Sequence, residues 1–354
     1  MTILFIDGFD IYSNSEANIA STVEAGMWGQ ALGVRQELTA ANVRTGRAAI
    51  ALDGGNEFIR TKVFSSTSVM VFGVGFKPTT GTQDSGVFAT WEENTGAGSQ
   101  QLVRVGYDSQ RRLTVWHGSS SAVVCQSSAN AITMNTYQYV EGYCKAGVST
   151  GEVIMRINEI EVCRASGINT VRSTGGQLFN QFTLWHANFN VDVHYFDDFY
   201  VLNGAGAVNN DFLGQVEIQT HHADANGDQN DFAVAGTSVN YAAVDEVVSD
   251  GDATYVHSST VGHKELYKAS SLTTGVTDVF CVMPVVKVRK GTAGSNSMYL
   301  LTRVSGVQAS SVLKTPDTTY QFFQEVFETQ PGGGNWTVAA VSALQVGFVL
   351  ASTP

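Results

Sequence analysis

Apolar and polar residues alternate along most of this chain with a period of two. In the segment 191–202, Val193 and Tyr195 alternate with Asp192 and His194. Because successive side chains of a β-strand point to opposite faces, this pattern predicts a half-buried strand. The segment 69–76 is almost entirely apolar, which is typical of a strand that is covered on both faces. Helical periodicity is scarce, so the pattern predicts a chain that is almost entirely β.

Two adjacent carboxylates, Asp197 and Asp198, interrupt the strand predicted at 191–202. Short acidic side chains occur in turns and bulges, where backbone N–H groups donate hydrogen bonds to them. The alternation resumes at Phe199 and Val201, so we predict a bulge within one continuous strand. The Gly- and Asn-rich segment that follows, NGAGAVNNDFLG, predicts a junction between two domains.

Two segments have the pattern of β-hairpins. The first is LVRVGYDSQRRLTVWHG, and the second is GEVIMRINEIEVCR. In the second, Asn158 and Glu159 form a two-residue loop, because Asn tolerates the positive φ that such a loop requires. The resulting register pairs Arg156 with Glu161 and Met155 with Val162. Opposite charges across a strand pair stabilise a hairpin by a few tenths of a kcal/mol.

Five segments of the first half carry a resemblance to a known fold. They are DGFD, TSVMVFGVGFK, LVRVGYDSQRRLTVWHG, YQYVEGYCKAGVSTGEVIMRINEIEV and YFDDFYVL. In this order they resemble the concanavalin A-like jelly roll of the laminin-G and pentraxin type, although Glu159 stands where that family commonly has glycine. The resemblance spans residues 1–205 and implies an antiparallel two-sheet sandwich whose first and last strands lie together. It would bring Asp7 and Asp10 close to Asp197 and Asp198.

The second half, 206–354, is also strand-like. Strands are predicted in DFLGQVEIQTHH, DVFCVMPVVKVRK, SMYLLTRVSG and YQFFQEVFET, and at 344–350. Asn335 is placed to cap a short helical turn before the last strand. We therefore predict a second, smaller β-sandwich. The predicted fold class is all-β, with two antiparallel β-sandwich (jelly-roll) domains at 1–205 and 206–354.

The second half also resembles a module of tailed-bacteriophage virion proteins that follows a jelly-roll domain. The resemblance rests on the phrases NNDFLGQVEIQT, NYAAVDE, DGDATYVHSSTVGHKELY and NWTVAAVSALQVGFVL. These phrases indicate a setting, the virus particle, and they carry no chemistry of their own.

The charge balance limits the partners. The formal net charge is −12. An acidic chain gains nothing from counterion release, so we expect no nucleic-acid partner, and attachment to an anionic membrane is disfavoured too. No run reaches the roughly 18 apolar residues of a transmembrane helix. The first residues lack a basic segment and a cleavage site, so secretion by the general route is not expected.

The four cysteines lack the close spacing of metal ligands. They are Cys125, Cys144, Cys163 and Cys281. Reduced, mostly buried thiols are the expected state. A bridge from Cys125 to Cys144, or from Cys144 to Cys163, is the alternative.

One run of polar residues, ADANGDQND, has the spacing of a calcium loop. Its oxygen ligands would be Asp224, Asn226, Asp228, Asn230 and Asp231. Several oxygen ligands on a loop with a glycine at the bend suit a hard cation. The EF-hand pattern is not met, because Ala235 stands where that loop has glutamate. Asx-Gly turns produce similar strings, so a plain loop is the alternative. No other cofactor is expected.

Three tryptophans are candidates for stacking on a glycan. Trp91, Trp116 and Trp185 are predicted near strand ends or loops, although most aromatics of such a chain fill its core. Glu159 and Glu161 invite comparison with jelly-roll glycoside hydrolases, which need two carboxyl groups about 5–5.5 Å apart on one face. Glu159 lies in a predicted turn and Glu161 faces Arg156, so we expect no catalysis from this pair.

The resemblances together predict a non-enzymatic structural protein of a tailed-phage virion, assembled in the host cytoplasm. The expected role is that of a tail or tail-appendage component, for example in a tail fibre. It would contact other virion proteins, form a homo-oligomer and bind a host-surface glycan. The alternatives are a capsid decoration protein, a polysaccharide-degrading enzyme of the jelly-roll class, and a free carbohydrate-binding protein.

Overall fold

The chain is almost entirely β, as the alternating pattern predicts, and its sheets are antiparallel. The computed structural model describes residues 2–13, 15, 19–21, 26–80, 85–118, 120, 122–172, 177–187, 192–291 and 296–352. It divides into two compact units, Met1–Ile218 and Gln219–Pro354. The sequence predicts the junction at 205–206, whereas the first compact unit also includes the segment 206–218.

The first unit contains strands joined by turns and one short 3-10 helix, Ala40–Asn42. In chain order the strands are β1 (Ile3–Asp7), β2 (Gln30–Leu32), β3 (Arg35–Glu37), β4 (Ala49–Leu52), β5 (Glu57–Arg60), β6 (Val69–Pro78), β7 (Gly86–Asn94), β8 (Ser99–Tyr107), β9 (Leu113–His117), β10 (Val123–Gln126), β11 (Gln138–Lys145), β12 (Gly151–Ile157), β13 (Ile160–Ile168), β14 (Gln181–Ala187) and β15 (His194–Leu202).

These strands form two sheets. The eight-stranded sheet has the order β13-β12-β11-β6-β15-β4-β3, with β1 paired to β15. The seven-stranded sheet has the order β10-β9-β8-β7-β14-β5-β2. Most neighbours in the middle of each sheet are distant in sequence, as in a jelly roll, so the core depends on long-range pairing.

Aromatic side chains from both sheets fill the space between them. Phe72 of β6 packs on Trp91 of β7 and on Phe182 of β14, with ring centroids 5.2 and 4.6 Å apart. All three side chains are fully buried. Burial of one such side chain contributes about 1.5–3 kcal/mol. As predicted for 69–76, almost every residue of β6 is buried.

The first and last strands of the unit pair, as the resemblance implies. Asp7 of β1 lies opposite Phe199 of β15. The predicted bulge is present, because the pairing of β15 with β6 shifts between Asp197 and Tyr200, and Asp198 has a φ of 48°. The strand begins at His194 rather than at 191, and residue 191 lies outside the described residues.

The hairpin of β12 and β13 has the predicted loop but a different register. Asn158 and Glu159 have φ of 48° and 70°, and Arg156 pairs with Glu161. Beyond that pair Met155 faces Cys163 and not the predicted Val162, because a bulge shifts the register. The predicted register is therefore wrong over the rest of the hairpin.

The segment 206–218, which we call the strap, lies on the outer face of the eight-stranded sheet. The strand predicted in DFLGQVEIQTHH is wrong there, because strap backbone groups bond to side chains of the sheet. Gly214 N donates to Glu141 Oε1 at 2.9 Å, and Ile218 N donates to Asp198 Oδ1 at 2.8 Å. Arg44 donates to the carbonyl oxygen of Val216 at 2.8 Å.

The second unit is also built on antiparallel strands. They are β16 (Ala223–Asn230), β17 (Ala233–Ala235), β18 (Tyr255–His257), β19 (Lys264–Ala269), β20 (Val285–Val288), β21 (Asn296–Val304), β22 (Val307–Ser310), β23 (Gln321–Gln324) and β24 (Leu344–Ser352). Five form a sheet of order β16-β19-β24-β21-β22, and β17 with β18 and β20 with β23 form two smaller sheets.

A short α-helix, α1 (Val338–Ser342), precedes β24 as predicted. Its cap is Thr337 and not the predicted Asn335, because Thr337 Oγ1 accepts from Ala340 N at 3.1 Å. A second 3-10 helix spans Tyr241–Ala243. Among the described residues, no helix has both the length and the apolar character needed to span a membrane.

Candidate functional site

One row of side chains crosses the seven-stranded sheet from strand to strand. The pairing places in it Gln30, Arg60, Thr183, Thr90, Arg104 and Trp116. Directly opposite residues point to the same side of a sheet. Their strand neighbours, such as Ile59, Leu184 and Val105, are fully buried against the other sheet. The row therefore lies on the outer face, and five strand spacings make it roughly 24 Å long.

Arg60 and Glu92 form an ion pair in the middle of this face. Arg60 Nε lies 3.0 Å from Glu92 Oε2, and the Glu92 side chain is fully buried. The same Arg60 nitrogen donates to Thr183 Oγ1 at 2.9 Å, and Thr90 Oγ1 donates to Glu92 Oε1 at 2.8 Å. Within the described residues Glu92 Oε2 receives no hydrogen bond, so the ion pair offsets its charge. Breaking such a pair costs about 3–5 kcal/mol.

Aromatic rings hold the guanidinium of Arg60 in place. It lies over the rings of Phe58 and Trp185, with its central carbon 4.9 and 5.9 Å from their centroids. Trp185 is half-buried, and its Nε1 donates to Thr90 Oγ1 at 3.0 Å. The indole is thus fixed by a hydrogen bond, and part of its surface is open to a ligand.

A second arginine and tryptophan pair lies further along the row. The Arg104 guanidinium lies 5.9 Å from the centroid of Trp116 and donates to the carbonyl oxygen of Ser120. Burial lowers the pKa of Arg104 from its ordinary value. Its Nε is buried and has no hydrogen-bond partner among the described residues.

A pocket of about 330 Å³ opens beside Arg60, a volume within the usual range for small-ligand sites. It is lined by Gly29, Gln30, Arg60, Lys62, Val63, Asn94, Gly98, Ser99 and Gln181. Two of these residues are cationic, three carry amides, and none is acidic. Although the charge of Arg60 is offset by Glu92, a lining with basic groups and no acid suits an anionic ligand better than a cationic one.

The amides of the pocket are held in fixed positions. Gln181 Nε2 donates to the carbonyl oxygen of Thr61 at 2.9 Å, while its Oε1 accepts from Ser99 and, at 3.3 Å, from Asn94. The backbone of Asn94 is held by Asn180, whose Oδ1 accepts from Asn94 N at 2.7 Å. Such networks position polar groups before a ligand arrives.

The structure separates the three tryptophans proposed to stack on a glycan. Trp185 and Trp116 lie on the outer face of the seven-stranded sheet and are half-buried, so their role in glycan stacking stays a prediction. Trp91 is fully buried between the sheets, where Nε1 donates to the Met70 carbonyl oxygen at 3.1 Å. It cannot reach a ligand, and its assignment to the site is corrected.

The five residues of the predicted calcium loop lie in β16 or just after it, and not in a loop. Asp228 Oδ2 lies 3.3 Å from Arg303 Nε, and Asp231 Oδ2 accepts from Lys264 N at 3.0 Å. Asn226 Oδ1 accepts from Tyr241 N at 2.9 Å. The oxygens of Asn226, Asp228 and Asp231 are thus held by three different partners, and not turned towards one ion. Asn230 Nδ2 donates to the carbonyl oxygen of Gly227 at 3.0 Å, and Asp224 is exposed.

The acidic residues of the first unit are bonded to backbone donors. Asp10 Oδ1 accepts from Arg47 N at 2.7 Å and from Ala48 N at 2.9 Å. Asp197 Oδ2 accepts from Arg44 N at 2.8 Å. Burial raises the pKa of Asp197 well above its ordinary value, and the neighbouring Asp198 raises it further. These acids anchor turns, as their sequence context indicates.

Glu159 and Glu161 do not form a catalytic pair. The Glu161 carboxylate is bound by Arg164 at 2.8 Å, and not by Arg156. Glu159 Oε1 accepts from Gln215 N of the strap at 3.2 Å. Both residues are exposed on β13 or its turn, away from the outer face of the seven-stranded sheet.

Sequence reasoning missed the residues that line the pocket. The alternation in EFIR and WEEN would place Arg60 and Glu92 on the polar faces of their strands. No local pattern shows that β14, whose residues lie some ninety positions beyond Glu92, separates the two strands. Long-range pairing creates this site, so a local motif could not have found it.

Several solved structures resemble this chain at low identity. The endo-β-1,4-glucuronan lyase of the fungus Trichoderma reesei is 13% identical over 57% of this chain and 96% of its own, with a TM-score of 0.41. Alginate lyase Aly36B is 14% identical over 56% of this chain and 95% of its own, with a TM-score of 0.38. A Trypanosoma rangeli sialidase mutant is 10% identical over 48% of this chain and 27% of its own, with a TM-score of 0.33. No protein-family model and no curated protein matches the sequence.

These matches correct the function predicted from the sequence. The matched proteins are carbohydrate-active β-sandwich proteins, and the lyases and the sialidase are enzymes. The structures named here are lyases and a sialidase, and none of them is a virion protein, so the prediction of a non-enzymatic structural protein of a phage virion is withdrawn. TM-scores of this size assign neither an activity nor a substrate to this chain.

Proposed function

We propose that this protein binds an acidic polysaccharide across the outer face of the seven-stranded sheet and cleaves it by β-elimination. The observation that carries the proposal is the pocket of about 330 Å³, which has Arg60 and Lys62 in its lining, three amides and no acid. Carboxylate-bearing sugars are the polysaccharide units that such a lining suits best, because arginine binds carboxylates through paired N–H donors.

Elimination fits this pocket better than hydrolysis does. Most enzymes that hydrolyse glycosidic bonds use two carboxyl groups about 5–9.5 Å apart, and no acid lines the pocket. Elimination from a uronate instead needs its carboxylate neutralised, so that the adjacent C–H becomes acidic. A base takes that proton, a C=C bond forms, and the bond from the next carbon to the glycosidic oxygen breaks. The leaving oxygen then takes up a proton, and no water is consumed.

The lining residues divide between these tasks. Arg60 faces the substrate carboxylate and, with the amides of Gln181 and Asn94, stabilises the negative charge that develops on it. Arg60 cannot give up its own proton, since a guanidinium stays charged. Lys62 is exposed at the pocket, and in its neutral form the amine has a lone pair that can take the proton from the substrate. We assign the proton transfer to Lys62.

The row on the outer face supplies the rest of the binding surface. Trp185 lies next to Arg60, and Trp116 lies three strands further on. An indole ring with one open side can stack on the apolar face of a sugar. With a length of roughly 24 Å, the row has room for an oligosaccharide that extends from the pocket towards Arg104 and Trp116.

The proposal is tested with purified protein and uronate polymers. Glucuronan, alginate and polygalacturonate are incubated with the chain, and the ultraviolet absorbance of the unsaturated uronate product is followed. We expect absorbance to rise with at least one of these polymers and with no neutral glucan. Lys62→Ala should lower the rate by about 100-fold or more, as for loss of a general base. Lys145→Ala, an exposed lysine on the other sheet, is the matched control and should leave the rate unchanged.

A double replacement separates folding from function. Removal of Arg60 alone would leave the buried Glu92 carboxylate without its cation. Arg60→Met with Glu92→Met removes both charges, which buried ion pairs often tolerate. The double variant should fold and have no lyase activity. Full activity in this variant, or no absorbance change with any uronate polymer, would contradict the proposal.

A further inference from the structure

Four side chains with metal-binding or hydrogen-bonding groups meet between the two sheets of the first unit. His186 comes from β14, His194 opens β15, and Asp192 lies in the connection between these strands. Tyr107, at the end of β8, adjoins them. All four are buried, with at most 1% of the surface of each exposed. This inner cluster is separate from the pocket on the outer face and does not depend on the proposed function.

Local sequence explains how the cluster forms. Phe182 and Leu184 point inward from β14, and His186 continues the same alternation. His194 likewise points inward with Phe196, and both rings pack on Phe76, with centroid distances of 5.1 and 5.3 Å. The two histidines are eight residues apart in sequence but belong to different sheets, so their rings meet across the interior.

The donor atoms lie close enough to share one ion. One atom from each of His186, Asp192 and His194 lies within 4.8 Å of the others. His186 Nε2 is 3.8 Å from Asp192 Oδ1. Tetrahedral Zn²⁺ with bonds of 2.0–2.1 Å requires about 3.3 Å between ligand atoms. Side-chain movements of about 1 Å would therefore bring the three atoms into a coordination sphere.

Backbone carbonyls orient both imidazoles. His186 Nδ1 lies 2.7 Å from the carbonyl oxygen of Gly54, and His194 Nδ1 lies 3.4 Å from that of Trp185. A carbonyl only accepts, so each Nδ1 carries the hydrogen and each Nε2 turns towards the cluster. Metal-binding histidines are usually fixed in this manner.

The donor set selects the ion. Two imidazoles and one carboxylate suit zinc and neighbouring transition metals, whereas calcium and magnesium prefer oxygen ligands. Tyr107 contributes a hydroxyl 3.1 Å from His194 Nε2 and 3.5 Å from Asp192 Oδ2. When the metal binds His194 Nε2, the Tyr107 hydroxyl would lose its hydrogen bond to that nitrogen and keep the one to Asp192 Oδ2. It would thereby orient the Asp192 oxygen that does not bind the metal.

We propose that His186, Asp192 and His194 bind one Zn²⁺ ion, which joins the two sheets at this end of the sandwich. The ion offsets the charge of the buried carboxylate and ties β14 to β15. It has a structural role, because the ligands are buried away from solvent and from the polysaccharide face.

Metal titration of the full chain tests this site. The protein is stripped with a chelator, dialysed against Zn²⁺, and its zinc content and thermal unfolding are measured. We expect one equivalent per chain and a melting temperature that rises with zinc concentration. Co²⁺ should give the intense visible absorption of a four-coordinate N/O site. A chain that takes up no stoichiometric Zn²⁺ and shows no such Co²⁺ spectrum would overturn the proposal.

Variants show whether the metal lies in this cluster. His186→Gln and His194→Gln should each weaken Zn²⁺ binding by about 100-fold or more. His257→Gln removes an exposed histidine of the second unit and should bind as the parent does. If a histidine variant fails to fold, Asp192→Asn, which keeps the shape of the side chain, takes its place. Equal binding by these variants and the parent would place the metal elsewhere and overturn the proposal.

Discussion

At the scale of single residues, the seam between the first and last strands places a carboxyl group in the interior. Asp7 accepts hydrogen bonds from Phe9 N and Trp28 Nε1, both at 2.7 Å, and from the Tyr12 hydroxyl. Burial outweighs these bonds and raises the pKa of Asp7 from 3.8 to about 6. The folded chain therefore holds this proton more tightly than the unfolded chain does.

This shift predicts a pH dependence of stability. Because the folded-state pKa is raised, the contribution of Asp7 is greatest below pH 3.8 and is lost as the pH rises through about 6. The loss amounts to roughly 3 kcal/mol at 1.36 kcal/mol per unit. Asp7→Asn cannot titrate, so urea unfolding across this range should show the parent losing its advantage over the variant. Parallel pH profiles of the two proteins would contradict this.

Residue chemistry also determined what could be predicted locally. Asn158 and Glu159 were identifiable as a turn, since a two-residue loop requires positive φ. Asp197 and Asp198 were identifiable as a bulge, since they break an alternation. The bulge beyond Glu161 could not be predicted, because the alternation is not interrupted there. Trp91 and Trp185 could not be told apart, because a strand pattern does not say which of its faces is the inner one.

At the scale of elements, two edge strands of different sheets bring a pair of thiols together. Cys125 of β10 and Cys163 of β13 lie with Sγ atoms 2.9 Å apart, and both are partly exposed. Neither bridge considered from the sequence, both of which involve Cys144, corresponds to this pair. Spacing alone could not identify it, because the contact depends on how the edges of the two sheets meet.

We expect these two thiols to form a disulfide under mild oxidation. With diamide as oxidant, each thiol loses its hydrogen to diamide and one S–S bond forms. Closure of a loop of this length stabilises the fold by at most about 4 kcal/mol. Thiol titration in denaturant should fall from four groups to two, and the melting temperature should rise. Cys163→Ser should show neither change, and a parent that retains four thiols would contradict the prediction.

At the scale of the whole molecule, the strap belongs with the first unit. Its residues Phe212, Leu213 and Val216 pack on a cluster formed by Tyr139, Tyr200 and their neighbours. The Glu141 carboxylate, fully buried, accepts from Gly214 N and from the Tyr200 hydroxyl. The Gly/Asn-rich composition of 203–214 indicated a junction, but its contacts with the sheet depend on side chains distant in sequence.

Truncation tests this contribution. A fragment ending at Ile218 should unfold cooperatively, whereas a fragment ending at Ala205 should be less stable by about 3 kcal/mol or more. The shorter fragment exposes the tyrosine cluster and leaves the Glu141 carboxylate with one donor fewer. Chemical denaturation of both fragments measures the difference. Equal midpoints would show that the strap adds no stability.

The architecture was more predictable than the site. Alternation identified the strands, and the resemblance placed β1 beside β15. The pocket could not be predicted, because Arg60, Glu92 and Gln181 come from three strands whose order follows from the jelly-roll topology. The residues of the predicted calcium loop lie mostly in β16, which pairs with the distant β19, and local chemistry could not indicate this pairing.

The strap makes the two outer faces of the sandwich different from one another. It covers part of one outer face, while the opposite face carries the row from Gln30 to Trp116. An affinity tag inserted at the exposed Ala207 would therefore attach the first unit to a solid support through the face that the strap covers. Protein immobilised in this orientation would present its pocket to a polymer in solution, and soluble fragments could be washed away from it.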